Sequence, residues 1–392
     1  MCKKTGAIIL MILIAVYAFC DTEILETYLQ DFYEMEDNAG KVNILRRALA
    51  DSSLNESGAE LFEHALQYAL ENCISTDNYF HLNNIILTSL NGLRRTDSIE
   101  NPGLLWELFL AYPVPEIKAE IMIALGKFGK ENKNLIENIN DYLKEINSIF
   151  YLGENIDYIT VSAVITALME MDNSSSYPVL LDVLRAGYPE VIASEASGAL
   201  DLMSRDLYQF LLEVIKEGLP EEKSAAFRAV ISSGRLSISE RGELAELALR
   251  LTLDTENENV FLTTLRYDAV TELTALGWTR ANPLAVRHFY ITLADFQRDS
   301  VSYRNRFIQA INFLGSAGNS EAALVLGLQL GLINDRKERT GYFDAGITLA
   351  IVQALGRIGD SAAFNNLLRA STLLYNENIT SAAREAMDRL KW

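Results

Sequence analysis

The sequence has few of the residues that build disulfide-linked or metal-bound scaffolds. It contains 3 cysteines and 3 histidines in 392 residues. Cys2 and Cys20 lie in the first twenty residues, so loss of that segment would leave Cys73 alone and no internal disulfide could form. The three histidines are His64, His81 and His288. Neither His-x-x-x-His nor Cys-x-x-Cys spacing occurs, so we expect no metal site.

Motifs of common enzyme classes are also missing. No glycine-rich phosphate loop ending in Lys-Ser or Lys-Thr occurs, and no Gly-x-Ser-x-Gly elbow. The segment "ALGRIGD" at 354–360 ends a predicted helix, whereas a phosphate loop opens one. With 53 acidic residues, neighbouring carboxylates such as Glu213 and Glu217 are expected by chance. The sequence therefore predicts no catalytic residues and no cofactor.

Positive charge is scarce. The chain has 34 Lys and Arg against 53 Asp and Glu, a net charge of −19 that becomes −21 without Lys3 and Lys4. Such a field repels phosphate backbones, so we expect no nucleic-acid partner.

The first twenty residues have the composition of a signal peptide. Lys3 and Lys4 precede an apolar run over residues 6–19, which is shorter than the roughly 20 residues that cross a bilayer as a helix. We expect cleavage, with an uncleaved membrane anchor as the alternative. The mature protein is then exported, and is periplasmic or membrane-anchored in the cell envelope.

Cys20 resembles the lipidated cysteine of bacterial lipoproteins. That family places a small residue directly before the cysteine, whereas this chain has Phe19, and Tyr17 replaces the usual leucine. A general signal peptidase cutting after Ala18 or Cys20 stays open as the alternative. Membrane contact is expected only through this lipid or through the uncleaved segment.

Two distant segments, 117–129 and 347–359, share a helical pattern. When Leu125 is placed on Leu355, apolar residues coincide at i, i+4, i+7 and i+11, which is one face of an α-helix. Two glycines also coincide in each copy. The first pair is Gly126 and Gly356, and the second is Gly129 and Gly359. The second glycine of each copy is predicted to end the helix in a left-handed conformation.

Further copies follow along the chain. Residues 310–332 keep the leucine and both glycines, and "ELTALGWTRA" at 272–281 keeps Leu276 and Gly277. Degenerate copies lie at 164–172, 195–204 and 382–390. The equivalent leucines are 32 to 43 residues apart, except for one gap of 76 that holds a further unit near 220–234. All seven prolines suit helix starts or links, and Pro102 and Pro283 each follow an asparagine able to cap a helix.

A unit of two antiparallel helices ending in Ala-Leu-Gly-x-x-Gly resembles a HEAT repeat. The resemblance covers residues 102–392, and we interpret 21–101 as degenerate helical repeats with an N-terminal cap. It implies an all-α fold, an α-solenoid in which helix pairs stack into a right-handed superhelix. It also implies a concave surface that binds partners.

One stretch departs from the acidic character of the chain. Between residues 266 and 306 arginines outnumber acids and alternate with aromatic residues, a composition typical of binding hot spots. The candidate partner-binding residues are Arg266, Tyr267, Trp278, Arg287, His288, Tyr303, Arg304 and Arg306. We expect "LRYDA" (265–269) and "SYRNRF" (302–307) to lie close together. The alternative is that the aromatics form core between repeats and the arginines neutralise neighbouring acids.

These patterns favour a non-catalytic exported scaffold or adaptor that holds another envelope protein on a helical-repeat surface. The alternative is an envelope enzyme, or an enzyme accessory, that grips a polymer such as glycan in the concave cleft. Two carboxyl groups roughly 5 to 10 Å apart in that cleft would favour the enzyme.

Overall fold

The computed structural model describes residues 23–54, 58–74, 79–203, 207–254 and 259–391. Within these ranges the chain forms α-helices joined by short links, and no β-strand occurs there. An isolated bridge between Asp360 and Lys391 is the nearest approach to sheet structure in the same ranges. The prediction of an all-α fold is confirmed.

The helices fall into two compact units, Met1–Arg205 and Asp206–Trp392. In the first unit, helix α1 spans residues 23–34. The nine helices that follow are α2 (Asn38–Ala50), α3 (Ala59–Asn72), α4 (Phe80–Thr96), α5 (Pro102–Ala111), α6 (Pro115–Phe128), α7 (Lys133–Tyr151), α8 (Tyr158–Met171), α9 (Tyr177–Ala186) and α10 (Glu190–Leu202).

The described residues of the second unit contain ten helices. They are α11 (Leu207–Glu217), α12 (Pro220–Ser232), α13 (Ile238–Leu253), α14 (Val260–Leu276), α15 (Asn282–Arg298), α16 (Arg304–Ser316), α17 (Ser320–Thr340), α18 (Ala345–Ile358), α19 (Phe364–Thr372) and α20 (Glu377–Asp388). Three short 3-10 turns, Ser174–Ser176, Thr279–Ala281 and Ser361–Ala363, lead into α9, α15 and α19.

In each unit the helices pack as adjacent pairs in two layers. Each even-numbered helix from α4 onward contacts the odd-numbered helix before it, and it also contacts the next even-numbered helix within its unit. We call the row of even-numbered helices the even layer. Odd-numbered helices contact their own neighbours in the same way, for example α7 with α9 and α17 with α19. This is the packing of a helical repeat, and each layer buries the apolar face of the other.

The repeat packing extends through the region in which the sequence pattern is weak. Helices α2 and α4 contact each other, and α3 pairs with α4 although neither ends in Leu-Gly. Contacts of α3 with α5 and of α4 with α6 cross the predicted boundary between residues 101 and 102. The packing therefore has no break at that position.

The Ala-Leu-Gly signature lies near the ends of even-layer helices, where it has a packing role. A Cβ built on Gly126 of α6 would lie 2.7 Å from the Cα of Ala167 in α8. A Cβ on Gly356 of α18 would lie 3.0 Å from the Cβ of Ala386 in α20. The glycine of one even-layer helix and the alanine of the next thus allow the two helices to approach closely. The leucine that precedes each glycine in the sequence is buried.

The second glycine of each copy fulfils the prediction at only one of the two quoted positions. Gly359 ends α18 with φ of 71°, as expected for a left-handed residue. Gly129 ends α6 with φ of −95°, so the prediction is wrong there. The reason for glycine is spatial, because a Cβ on Gly129 would lie 2.6 Å from Leu135 and 2.7 Å from Met171.

Helix starts follow the expected chemistry, with one correction. Pro102 opens α5, and the Asn101 side chain accepts from the Gly103 amide. Pro283 lies in the first turn of α15, but Asn282 is already helical and its side chain caps nothing. The capping prediction is therefore wrong at Asn282, because the preceding 3-10 turn moves the helix start back to that residue.

Candidate functional site

The structure brings the two predicted arginine and tyrosine segments together in the even layer. Tyr267 lies on α14, and Arg306 lies in the first turn of α16, the next helix of that layer. The guanidinium carbon of Arg306 is 4.6 Å from the Tyr267 ring centroid and 5.6 Å from that of Tyr303. The expectation that 265–269 and 302–307 lie close together is confirmed.

A polar side chain that the sequence did not single out holds these helices in register. Gln309, one turn after Arg306, donates to the carbonyl oxygen of Tyr267 at 3.2 Å and to the hydroxyl of Thr271 at 2.6 Å. The exposed polar face of α16 is the only sequence signal for this role. These bonds tie α16 to the turn of α14 that carries Tyr267.

Arg266 adds a second cation beside the same ring. Its guanidinium carbon lies 5.3 Å from the Tyr267 ring centroid. Neither Arg266 nor Arg306 forms an ion pair with a carboxylate in the described part of the chain. We call Arg266, Tyr267, Tyr303 and Arg306 the arginine-tyrosine cluster. It is a site of positive charge and aromatic surface in a protein with a net charge of −19.

The polar face of α16 continues toward α18. Asn312, one turn after Gln309, accepts a hydrogen bond from Arg357 of α18 at 3.0 Å. Arg357 also lines a shallow pocket of about 340 Å³ between α18 and α20, together with Gln353, Glu385 and Arg389. Polar groups of both charge signs therefore extend from α14 across α16 to α18 and α20, where Arg389 is paired with Glu385 at 3.9 Å.

His288 is a core residue, which contradicts its prediction as a partner contact. The side chain is 0 % exposed and lies edge-on to the Tyr267 ring, with centroids 5.6 Å apart. Burial, reinforced by the charge of Arg266, lowers the pKa of His288 to about 3. The imidazole is therefore neutral near pH 7, and it supports Tyr267 from beneath.

Trp278 is also used inside the protein. Its indole Nε1 donates to Glu246 of α13 at 3.0 Å, and its ring packs on Gly242, where a Cβ would lie 2.5 Å from a ring carbon. Arg280 donates to the same carboxylate at 2.6 Å. Burial alone would raise the pKa of Glu246, but the hydrogen bonds from Arg280 and Trp278 and the nearby arginine charges hold it below its usual value. Trp278 therefore links repeats.

Two of the predicted arginines join neighbouring repeats. Arg287 of α15 donates to Asp254 at 2.5 Å and to the Leu253 carbonyl at 2.7 Å, at the end of α13. Arg304 donates two hydrogen bonds to Asp344, at 2.7 and 2.8 Å. The bonds from Arg304 and from the backbone lower the pKa of Asp344. For these arginines, and for Trp278 and His288, the structure agrees with the alternative interpretation of residues 266–306. In that interpretation the aromatics form core between repeats and the arginines neutralise neighbouring acids.

The described residues contain no group of three or more His, Cys, Asp or Glu side chains able to hold a metal ion. No helix in the same part of the chain is long and apolar enough to cross a membrane. The lipidation candidate Cys20 and the signal segment lie outside the described residues.

The chain matches no protein-family model, and it has no significant similarity to a curated protein. The pairing of its helices is therefore the main guide to its architecture.

Proposed function

We propose that this chain is a HEAT-like α-solenoid that serves as a non-catalytic adaptor in the cell envelope, to which its signal-like first twenty residues would direct it. The pairing of helices and the Ala-Leu-Gly contacts of the even layer support the HEAT-like reading. A right-handed superhelix would present the even layer as its concave surface, where proteins of this family usually bind partners.

The observation that carries the proposal is the arginine-tyrosine cluster. Arg306 stands over Tyr267 and Tyr303, and no carboxylate of the described chain neutralises it. Arginine and tyrosine are enriched at binding hot spots because they combine a large contact area with directed hydrogen bonds. A tyrosine side chain has few rotatable bonds, which limits the entropy lost on binding.

The chemistry of the cluster selects an acidic protein segment. A carboxylate can accept two hydrogen bonds from the Arg306 guanidinium, and Arg266 adds positive charge beside it. Arg357 and Arg389 add positive charge further along the same layer, the first bonded to Asn312 and the second paired with Glu385 at 3.9 Å. An extended segment carrying several carboxylates would therefore fit better than a compact surface.

The test is affinity capture from envelope extracts with the mature chain and two variants. Arg306→Ala removes the cation of the cluster. Arg384→Ala removes another exposed arginine, on α20, and serves as the matched control. We expect Arg306→Ala to weaken capture by about tenfold, which corresponds to about 1.4 kcal/mol, and Arg384→Ala to retain it. Equal recovery by both variants would exclude the cluster as the binding site.

A further inference from the structure

Helix α17 exposes an apolar stripe that the repeat packing does not cover. Leu324, Leu328 and Leu332 are 56, 69 and 64 % exposed. Their spacing of four residues places them on one face, whereas Leu326 and Leu330 are buried against the repeats. Isolated exposed leucines are ordinary, but three in line along one helix form a continuous apolar strip. We call these three residues the leucine stripe.

The spacing of the leucine stripe is symmetric. If a second copy of α17 lies antiparallel with Leu328 at the two-fold axis, Leu324 of each copy faces Leu332 of the other. In such an isologous contact both copies use the same surface, and all six leucines are buried. Leucines spaced by four or three residues pack in this way between paired helices.

The charges at the two ends of α17 complement each other in the same arrangement. At the N-terminal end lie Glu321 and Asp360, the second of which accepts a hydrogen bond from Ser320 at 2.5 Å. At the C-terminal end Arg336 and Arg339 are exposed. Two acids, Asp335 and Glu338, lie at the same end of the helix. Each of them is paired at 2.9 Å with Arg369 of α19.

An antiparallel pair brings the acidic end of one α17 beside the basic end of the other. It also opposes the two helix dipoles favourably. A parallel pair would instead place like charges together at both ends. From the exposed stripe, its symmetric spacing and this charge distribution, we infer that the chain forms an antiparallel homodimer through α17. This inference does not depend on the proposed adaptor function.

The test uses the full mature chain, with its mass measured in solution by light scattering or sedimentation. We expect a wild-type mass twice that of one chain, and a single-chain mass for Leu328→Glu, because two carboxylates would face each other at the axis. Leu374→Glu is the control, since Leu374 is 91 % exposed and lies in the link after α19, not on α17. It should leave the dimer intact, as should Arg306→Ala.

Cross-linking tests the geometry separately. Two copies of Leu328→Cys would stand at the axis within disulfide distance, so mild oxidation should join them, whereas Leu374→Cys should not cross-link. A wild-type chain that stays monomeric at high concentration would overturn the inference, and so would a dimer unaffected by Leu328→Glu. Sedimentation of a monomeric chain with phospholipid vesicles, lost in Leu328→Glu, would instead assign the stripe to a membrane surface.

Discussion

Gly315 of α16 and Ala354 of α18 pack so closely that a Cβ on Gly315 would lie 2.6 Å from the Cβ of Ala354 and 2.9 Å from its Cα. The same relationship joins Gly126 to Ala167 and Gly356 to Ala386. In each case a glycine near the end of one even-layer helix receives the alanine of the next. The recurrence of Ala-Leu-Gly along the chain follows from this contact. The alanine of one copy fits against the glycine of the preceding even-layer helix, and the glycine of the same copy receives the alanine of the following one.

Substitution of Gly315 by alanine should therefore destabilise the second unit. The added methyl group meets backbone atoms of α18, which can move away only if the two helices separate. We expect the free energy of unfolding to fall by about 1–3 kcal/mol, as for overpacked cores. Urea denaturation followed by circular dichroism would measure this loss.

Gly198 provides the matched control for that substitution. It lies inside α10, and a Cβ there would have no atom within 4 Å. Since alanine is the better helix former, Gly198→Ala should raise the free energy of unfolding by about 0.5–1 kcal/mol. If Gly315→Ala were equally stabilising, the close contact between α16 and α18 could not be correct.

His288 should make the stability of the protein depend on pH. Its pKa is lowered to about 3 in the folded state, whereas an unfolded histidine has a pKa of about 6.5. Below pH 6.5 the unfolded chain takes up a proton that the folded chain does not, so stability is lost as the pH falls toward 3. The contribution is at most about 1.4 kcal/mol per pH unit.

The variant His288→Leu removes this proton uptake while it keeps a buried side chain of similar size. Between pH 6 and pH 4 the wild type should lose stability relative to the variant with nearly that slope. Urea unfolding curves of both proteins across this range would show the difference. A constant gap between the two proteins would mean that His288 is protonated in the folded state.

The sequence was sufficient to predict the helices and their repetition, because these depend on periodicity within 15 to 20 residues. It also predicted that residues 265–269 and 302–307 would lie close together, and Arg306 does lie over the Tyr267 ring. It could not separate Arg306 from Arg304. The two lie two residues apart on α16, and the carboxylate that pairs with Arg304 belongs to Asp344, forty residues further along the chain. Contacts of that range depend on how repeats stack.

The buried state of His288 was hidden for a related reason. Its helix, α15, places His288 and Phe289 inward and the exposed Tyr290 outward, so the aromatic composition of the segment does not reveal the inward face. The leucine stripe of α17 escaped notice because leucines at this spacing normally indicate core. Which face of a helix is covered is decided by its neighbours, and here α17 has apolar residues on both faces.

The ion pair of Arg304 and Asp344 allows a last prediction, which separates structural from binding arginines. Asp344 caps α18 by accepting from the Ile347 amide, and asparagine can make the same bond. Asp344→Asn should thus keep the cap and lose the charge pair together with the hydrogen bond from Arg304 Nε, at a cost of about 0.5–1 kcal/mol because both side chains are partly exposed.

Because hydrogen bonds from Arg304 lower the pKa of Asp344, this contribution is fully present above the ordinary pKa of an aspartate. It is lost as the pH falls through the lowered value. A double-mutant cycle with Arg304→Gln should show a coupling energy at pH 7 that shrinks below about pH 4, where the unfolded carboxylate takes up a proton, and that is gone once the folded carboxylate is protonated as well. Arg304→Gln should also leave partner capture intact, whereas Arg306→Ala should weaken it. Loss of capture in Arg304→Gln without loss of stability would transfer the binding role from Arg306 to its neighbour.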